Sequence, residues 1–114
     1  MPLWNIEFYP IEGNRRSPID FLKVNCSSND LALINAKLKS IQDLQRADWP
    51  STWVKQIRKV YQMRQGDFRI YFGVTGRTLV VCHACRKVSQ KAKPQDIRTA
   101  ENNPKSYLAE KSNG

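Results

Sequence analysis

The chain has 114 residues, of which 40% are hydrophobic and 25% are charged. This length fits one domain with a modest core, and the composition excludes a disordered chain. Lys and Arg number 19 against 10 Asp and Glu, a net charge of +9, and no apolar run approaches the roughly 18 residues that cross a bilayer.

The positive charge is unevenly distributed along the chain. Acidic and basic side chains balance over residues 1–52, so the whole excess of +9 lies in residues 53–114. Such an excess is typical of a surface that binds nucleic acid, although a solvated surface or an acidic protein partner gives the same pattern. The first residues lack the basic and apolar pattern of a signal peptide, so we expect a cytoplasmic protein without membrane contact.

The three cysteines are Cys26, Cys82 and Cys85, and we expect no disulfide among them in a cytoplasmic protein. Cys82 and Cys85 have the spacing of a metal or redox pair. They lie in a strand-like segment, however, where a three-residue step places two side chains on opposite faces. Further ligands are also lacking in the sequence nearby, so we predict no metal site and no cofactor.

The first half of the chain predicts one strand and two helices. Residues 3–9 alternate apolar and polar side chains, which indicates a half-buried strand. Ser17 and Pro18 are typical of a helix start and predict a short helix over residues 17–25. A second helix is predicted over residues 29–47, because apolar residues recur there every three or four positions. These residues are Leu31, Ile34, Leu38, Ile41 and Leu44.

The second half predicts three strands, at residues 55–64, 68–74 and 78–86. Turns at Gly66 and Gly76 connect them, so neighbouring strands should be antiparallel. In the middle strand the apolar side chains alternate with polar ones. That alternation predicts one face in the core and one face outside it.

A helical tail is predicted over residues 93–114, with Pro104 expected to kink or split it. The whole chain, 1–114, is then a single domain with a core of residues 1–92. Its predicted class is α+β, in the order β-α-α-β-β-β-α. We expect a four-stranded, mostly antiparallel sheet with the helical hairpin on one face, and Arg64 and Arg69 on the other, uncovered face.

Four short segments carry a resemblance to a known superfamily. They read VYQMR at 60–64, FRIYF at 68–72, LVVCHACRK at 79–87 and QKAKP at 90–94. In this order and spacing they resemble the RelE/ParE toxins, and most closely the HigB-like branch, also called phage-derived Gp49-like proteins. The resemblance implies a RelE-like fold and a toxin of a type II toxin–antitoxin system.

The resemblance also implies an activity and its partners. HigB-like toxins are endoribonucleases that cleave mRNA, often on the ribosome, by attack of a ribose 2′-OH on the adjacent phosphate. The reaction needs no metal and no cofactor. The implied partners are mRNA, the ribosome and a cognate antitoxin, expected to be a helix-turn-helix protein.

Site residues follow from the matched segments. Arg69 corresponds to the arginine of the family's "yR" segment. One guanidinium group can donate two parallel hydrogen bonds to two oxygens of a phosphate. His83 is the only histidine, and its unperturbed pKa of about 6.5 suits acid–base work, although a packed histidine within a strand is the alternative. The predicted catalytic residues are Arg69, Arg64, Lys87 and His83, and the predicted RNA-binding residues are Arg86, Gln90, Lys91 and Lys93.

Two other functions stay open. ParE-like members of the superfamily share the fold but inhibit DNA gyrase. A catalytically inactive relative that binds only RNA or an antitoxin is the other alternative, because Gln62 replaces the branch's usual Glu and Cys85 replaces an aromatic residue.

Overall fold

The computed structural model describes residues 2–10, 17–86 and 94–113. Its elements are β1 (Asn5–Phe8), α1 (Pro18–Asn25), α2 (Ser28–Gln42), a 3-10 turn (Arg46–Asp48), β2 (Val54–Ile57), β3 (Val60–Gln65), β4 (Phe68–Thr75), β5 (Thr78–Arg86) and α3 (Pro94–Asn113). The strands form one sheet in the order β1-β5-β4-β3-β2. β1 runs parallel to β5, and the other neighbours are antiparallel. The predicted α+β class is confirmed, but the sheet has five strands rather than four.

The additional strand arises because residues 55–64 are not one strand. A two-residue turn at Arg58 and Lys59 folds this segment into the hairpin of β2 and β3, with Ile57 opposite Val60. Arg58 adopts a φ of 57°, a conformation that usually calls for Gly, Asn or Asp. The sequence therefore offers no turn signal at this point, which is why the prediction was wrong.

The helices α1 and α2 cover one face of the sheet, as predicted. Pro18 begins α1, although Ser17 makes no capping bond from its side chain to any described residue, whereas Ser27 Oγ accepts a bond from the Asp30 N–H at 3.1 Å and caps α2. The core beneath these helices contains Leu22, Ile34, Leu38, Ile41, Met63, Ile70, Phe72, Leu79 and Val81.

The second helix ends at Gln42, earlier than the predicted residue 47. The indole Nε1 of Trp49 donates to the carbonyl oxygens of Ile41 and Leu44, at 3.0 and 3.2 Å. The indole thereby bonds one carbonyl in the last turn of α2 and one just beyond the end of the helix. Trp49 is buried and its ring packs against Phe72, so it belongs to the core.

The third helix covers the opposite face of the sheet, which we expected to be uncovered. Ala100 is fully buried there against Tyr71, Val80 and Cys82. Pro104 does not split α3, which runs from Pro94 to Asn113. Its ring lies against Gly73, where a Cβ atom would come within 3.0 Å of Pro104 Cγ. The glycine therefore makes room for the proline.

The pairing of β4 with β5 shifts register in the middle. Tyr71 lies opposite His83, but Phe72 lies opposite Val81, so Cys82 has no counterpart on β4. Such a bulge turns two successive side chains to one face. Cys82 and His83 therefore both face α3, and Cys85 packs against the same apolar cluster. The expectation that Cys82 and Cys85 lie on opposite faces was wrong.

Among the helices of the described residues, none combines the length and the apolarity that a membrane span requires.

Candidate functional site

Two rows of side chains cross β3, β4 and β5 on the face that α3 covers. The strand register pairs each member with its neighbour on the next strand. The inner row is Gln62, Tyr71 and His83, and the outer row is Arg64, Arg69 and Cys85. Gln62 and Tyr71 are buried, whereas Arg64 is exposed, so the site opens to solvent toward the turn between β3 and β4.

Hydrogen bonds link the inner row to its surroundings. Gln62 Nε2 donates to the hydroxyl of Tyr71 at 3.0 Å, and Gln62 Oε1 accepts a longer bond of 3.4 Å from Arg64 Nε. The rings of Tyr71 and His83 lie with their centroids 5.7 Å apart. Burial raises the pKa of Tyr71, more than the bond from Gln62 lowers it, so the phenol keeps its proton at neutral pH.

His83 is held by a carboxylate from α3. Its Nε2 lies 2.9 Å from Oδ1 of Asp96, and the two side chains are 20% and 22% exposed. Asp96 is in the first turn of α3, so the pair exists only because this helix crosses the sheet. A proton on Nε2 shared with the carboxylate leaves Nδ1 as the basic nitrogen. This arrangement can fix the orientation of an imidazole that accepts a proton.

The two arginines of the outer row face each other across β3 and β4. Arg69 donates to the carbonyl oxygens of Gly66 and Phe68 at 2.8 and 2.9 Å, which fixes its guanidinium at the turn. Burial lowers the pKa of Arg69, and the charge of Arg64 lowers it further. Paired cations of this kind destabilise each other unless an anion lies between them, so the pair suits a phosphate group.

The remaining predicted residues do not join these rows. Arg86 lies opposite Phe68, with its guanidinium carbon 5.1 Å from the centre of that ring. Phe68 belongs to the core under α1 and α2, so Arg86 is on the other face of the sheet from Arg69. The residue opposite Arg69 on β5 is Cys85 rather than a basic residue. Lys87, Gln90, Lys91 and Lys93 lie outside the described residues.

Sequence reasoning missed three members of the site. The alternation along residues 68–74 puts Tyr71 on the same face as Arg69, but nothing in the sequence alone assigns this tyrosine a role. Cys85 was expected on the face opposite Cys82, because the bulge on β5 gives no signal in the sequence. Nothing in the sequence indicates that Asp96 belongs to the site. It lies 13 positions from His83 and contacts it only because α3 docks on the sheet.

A metal ion has one candidate group of ligands among the described residues. A ring nitrogen of His83, the sulfur of Cys85 and a carboxylate oxygen of Asp96 all lie within 4.8 Å of one another. The sequence argument against a metal rested on the placement of Cys82 and Cys85 and on the lack of further ligands nearby, so it did not include Asp96, which the docking of α3 brings close.

The fold and the site define a small basic α+β protein whose sheet carries paired arginines beside a histidine–aspartate pair. Residues 25–105 match the family described as Phage derived protein Gp49-like (DUF891), and the chain belongs to that family. It is a RelE-like family associated with toxin–antitoxin systems, as the resemblance implied, and this membership points to an antitoxin as partner. No curated protein matches the chain.

Proposed function

We propose that this protein is a HigB-like toxin that cleaves mRNA, and that its partners are the ribosome and a cognate helix-turn-helix antitoxin. The observation that carries the proposal is the placement of the His83–Asp96 pair beside the Arg64–Arg69 pair on one sheet face. A base next to a phosphate-binding pair of cations is what RNA cleavage requires. The net charge of +9 supports a polyanionic substrate.

The cleavage proceeds by transfer of the phosphodiester within the RNA. Nδ1 of His83 takes the proton of the ribose 2′-OH as the 2′-oxygen bonds to phosphorus. The bond from phosphorus to the 5′-oxygen breaks, and that oxygen takes a proton from solvent water or from the ammonium group of Lys87. The products carry a 2′,3′-cyclic phosphate and a 5′-hydroxyl, so the step needs neither a metal nor an oxidant.

The cations act on the phosphate rather than on the proton. Arg64 and Arg69 bind the non-bridging oxygens, where negative charge increases in the transition state. Lys87 follows the end of β5, and we assign it to the same phosphate or the leaving oxygen. Asp96 is a positioning residue, because it touches the imidazole and not the RNA.

A second group of residues is assigned to RNA binding away from the reacting phosphate. Gln90, Lys91 and Lys93 follow β5 in the sequence, and Arg86 ends it. Contacts from such residues to the RNA backbone provide affinity without sequence preference. Arg86, on the opposite face, would contact a more distant part of the RNA or the ribosome.

The test is to induce expression of the protein in cells and to measure translation, DNA replication and mRNA integrity over the same time course. We expect translation to stop first, with mRNA fragments that carry 2′,3′-cyclic phosphate ends. His83→Gln and Asp96→Asn should each restore growth while the purified variants keep the parent's circular dichroism spectrum. Arrest of replication before translation would instead support a gyrase inhibitor, and intact mRNA in arrested cells would refute the nuclease.

A further inference from the structure

We infer that His83, Cys85 and Asp96 together form a binding site for one Zn²⁺ ion. The three side chains offer an imidazole nitrogen, a thiolate sulfur and a carboxylate oxygen, all within 4.8 Å of one another. These are the three ligand types that zinc takes in proteins, and a thiolate selects zinc over magnesium or calcium. The site shares His83 and Asp96 with the proposed RNA cleavage, but the binding of Zn²⁺ does not depend on that activity.

The backbone brings these ligands together in a fixed way. His83 and Cys85 lie two positions apart on β5, so they point to the same face of the strand. The bulge at Cys82 sets that face toward α3, and the first turn of α3 supplies Asp96. Two rigid elements therefore carry the three ligands, which is typical of sites that bind a metal without large rearrangement.

A tetrahedral ion requires the ligand atoms, which now lie within 4.8 Å of one another, to shift by up to about 1 Å. Bonds of about 2.0–2.3 Å from zinc to nitrogen, oxygen and sulfur imply ligand atoms roughly 3.3–3.8 Å apart. The nitrogen of His83 and the oxygen of Asp96 are now 2.9 Å apart, the distance of a shared proton. Zinc replaces that proton and separates the two atoms by well under an ångström.

The charges of the three ligands match those of a divalent ion. A thiolate and a carboxylate bring two negative charges, which one Zn²⁺ ion neutralises. Arg69 lies opposite Cys85 on β4, so the two anionic ligands have to outweigh a neighbouring positive charge. All three ligands are only partly buried, so the ion can approach from solvent.

The other two cysteines provide controls within the chain. Cys82 is buried and its Sγ lies 3.2 Å from the carbonyl oxygen of Ala100. Burial raises its pKa to about 12, so this thiol stays protonated and is a poor ligand. Cys26 follows α1 and packs against the core on the opposite face of the sheet. Only one of the three cysteines is therefore expected to bind the ion.

The experiment is a titration of the chelator-treated protein with Co²⁺, a spectroscopic substitute for Zn²⁺. We expect one equivalent to bind, with a sulfur-to-cobalt charge-transfer band that Zn²⁺ abolishes by displacement. Cys85→Ser should remove the band, whereas Cys26→Ser should leave it unchanged. Asp96→Asn keeps the sulfur and should retain the band while weakening the affinity by about tenfold or more.

Thermal melting gives a second measurement on the same samples. Zn²⁺ should raise the melting temperature of the parent and of Cys26→Ser but not that of Cys85→Ser, because the ion stabilises only a folded site that binds it. A parent protein without the charge-transfer band, or a band that survives Cys85→Ser, overturns the inference. Neither measurement involves RNA, so failure of the zinc site and failure of the nuclease proposal are distinguishable.

Discussion

The sulfur of Cys82 lies 3.2 Å from the carbonyl oxygen of Ala100, the helical carbonyl that Pro104 has no N–H to bond. A proline inside a helix usually costs about 3 kcal/mol, in part because this hydrogen bond is lost. Burial raises the pKa of the Cys82 thiol to about 12, so the thiol keeps the proton that it donates. β5 therefore supplies a replacement donor for α3, and Gly73 on β4 supplies the space for the proline ring.

The contact of Gly73 with Pro104 predicts a loss of stability in Gly73→Ala. The added Cβ would lie 3.0 Å from Pro104 Cγ, so either the helix or the strand has to move. We expect the free energy of unfolding to fall by about 1–3 kcal/mol, measured by urea denaturation followed through tryptophan fluorescence. Pro104→Ala in the Gly73→Ala background should recover part of this loss, because it removes Cγ. Equal stability of Gly73→Ala and the parent would show that α3 does not press on β4 there.

The hydrogen bond from Tyr107 to Glu7 predicts a pH-dependent contribution to stability. Burial, followed by the bond to Glu7, raises the pKa of Tyr107 from 10.0 to about 12. Since the folded state holds the phenol proton more tightly, this contribution is complete below pH 10 and is lost as the pH rises through 12. Tyr107→Phe should therefore be less stable than the parent at neutral pH, and the difference should shrink above pH 10. If the difference in stability between the parent and Tyr107→Phe stays constant from pH 7 to above pH 10, this role for the phenol is contradicted.

We expect that substitution of either arginine of the pair lowers the rate of RNA cleavage far more than it lowers the stability of the fold. Arg69→Ala and Arg64→Ala should each lower the rate of RNA cleavage by roughly a hundredfold, since each removes a charge partner of the phosphate. Arg69→Ala should also lower the free energy of unfolding by about 1 kcal/mol, because its bonds to Gly66 and Phe68 are lost. Arg77→Ala, which removes an exposed arginine at the opposite turn, is the matched control for both measurements.

Cleavage kinetics with a defined RNA, together with thermal melting, check this prediction. Arg77→Ala should behave like the parent in both. If Arg69→Ala cleaves as fast as Arg77→Ala, then Arg69 is ordinary surface charge and the outer row is not a phosphate site.

The overlap of the zinc ligands with the proposed base predicts the effect of metal on cleavage. A chelator should leave the cleavage rate unchanged or raise it, because the proton transfer needs no metal. Added Zn²⁺ should lower the rate of cleavage, since the ion binds the imidazole of His83 and breaks its hydrogen bond with Asp96. Cys85→Ser should resist this inhibition while it still cleaves RNA. Loss of activity in chelator that Zn²⁺ restores would count against the proposed chemistry.

Strand alternation was sufficient to predict the two faces of β4. Phe68, Ile70 and Phe72 lie in the core beneath α1 and α2, and Arg69 lies on the opposite face, as expected. Period-two alternation is a local property, so it can be read from a few neighbouring residues. The helical spacing in α2 succeeded for the same reason, since Ile34, Leu38 and Ile41 are all buried.

The features that failed depend on contacts between distant residues. The bulge at Cys82 shifts the register between two strands, and periodicity along one strand carries no information about it. The turn at Arg58 lacks a turn residue, and an ion pair of 3.4 Å joins it to Glu101 on α3. Asp96 likewise joins the site through tertiary packing alone. The candidate arginines and histidine could thus be predicted, but their partners could not.

The parallel pairing of β1 with β5 has a consequence for synthesis on the ribosome. β1 is made first, yet its partner residues 78–81 come after every other strand has been made. The His83–Asp96 pair is completed later still, when the first turn of α3 has emerged. An unfinished chain therefore lacks both the pairing of β1 with β5 and the carboxylate that holds His83, so the proposed base is oriented only after the first turn of α3 has been made.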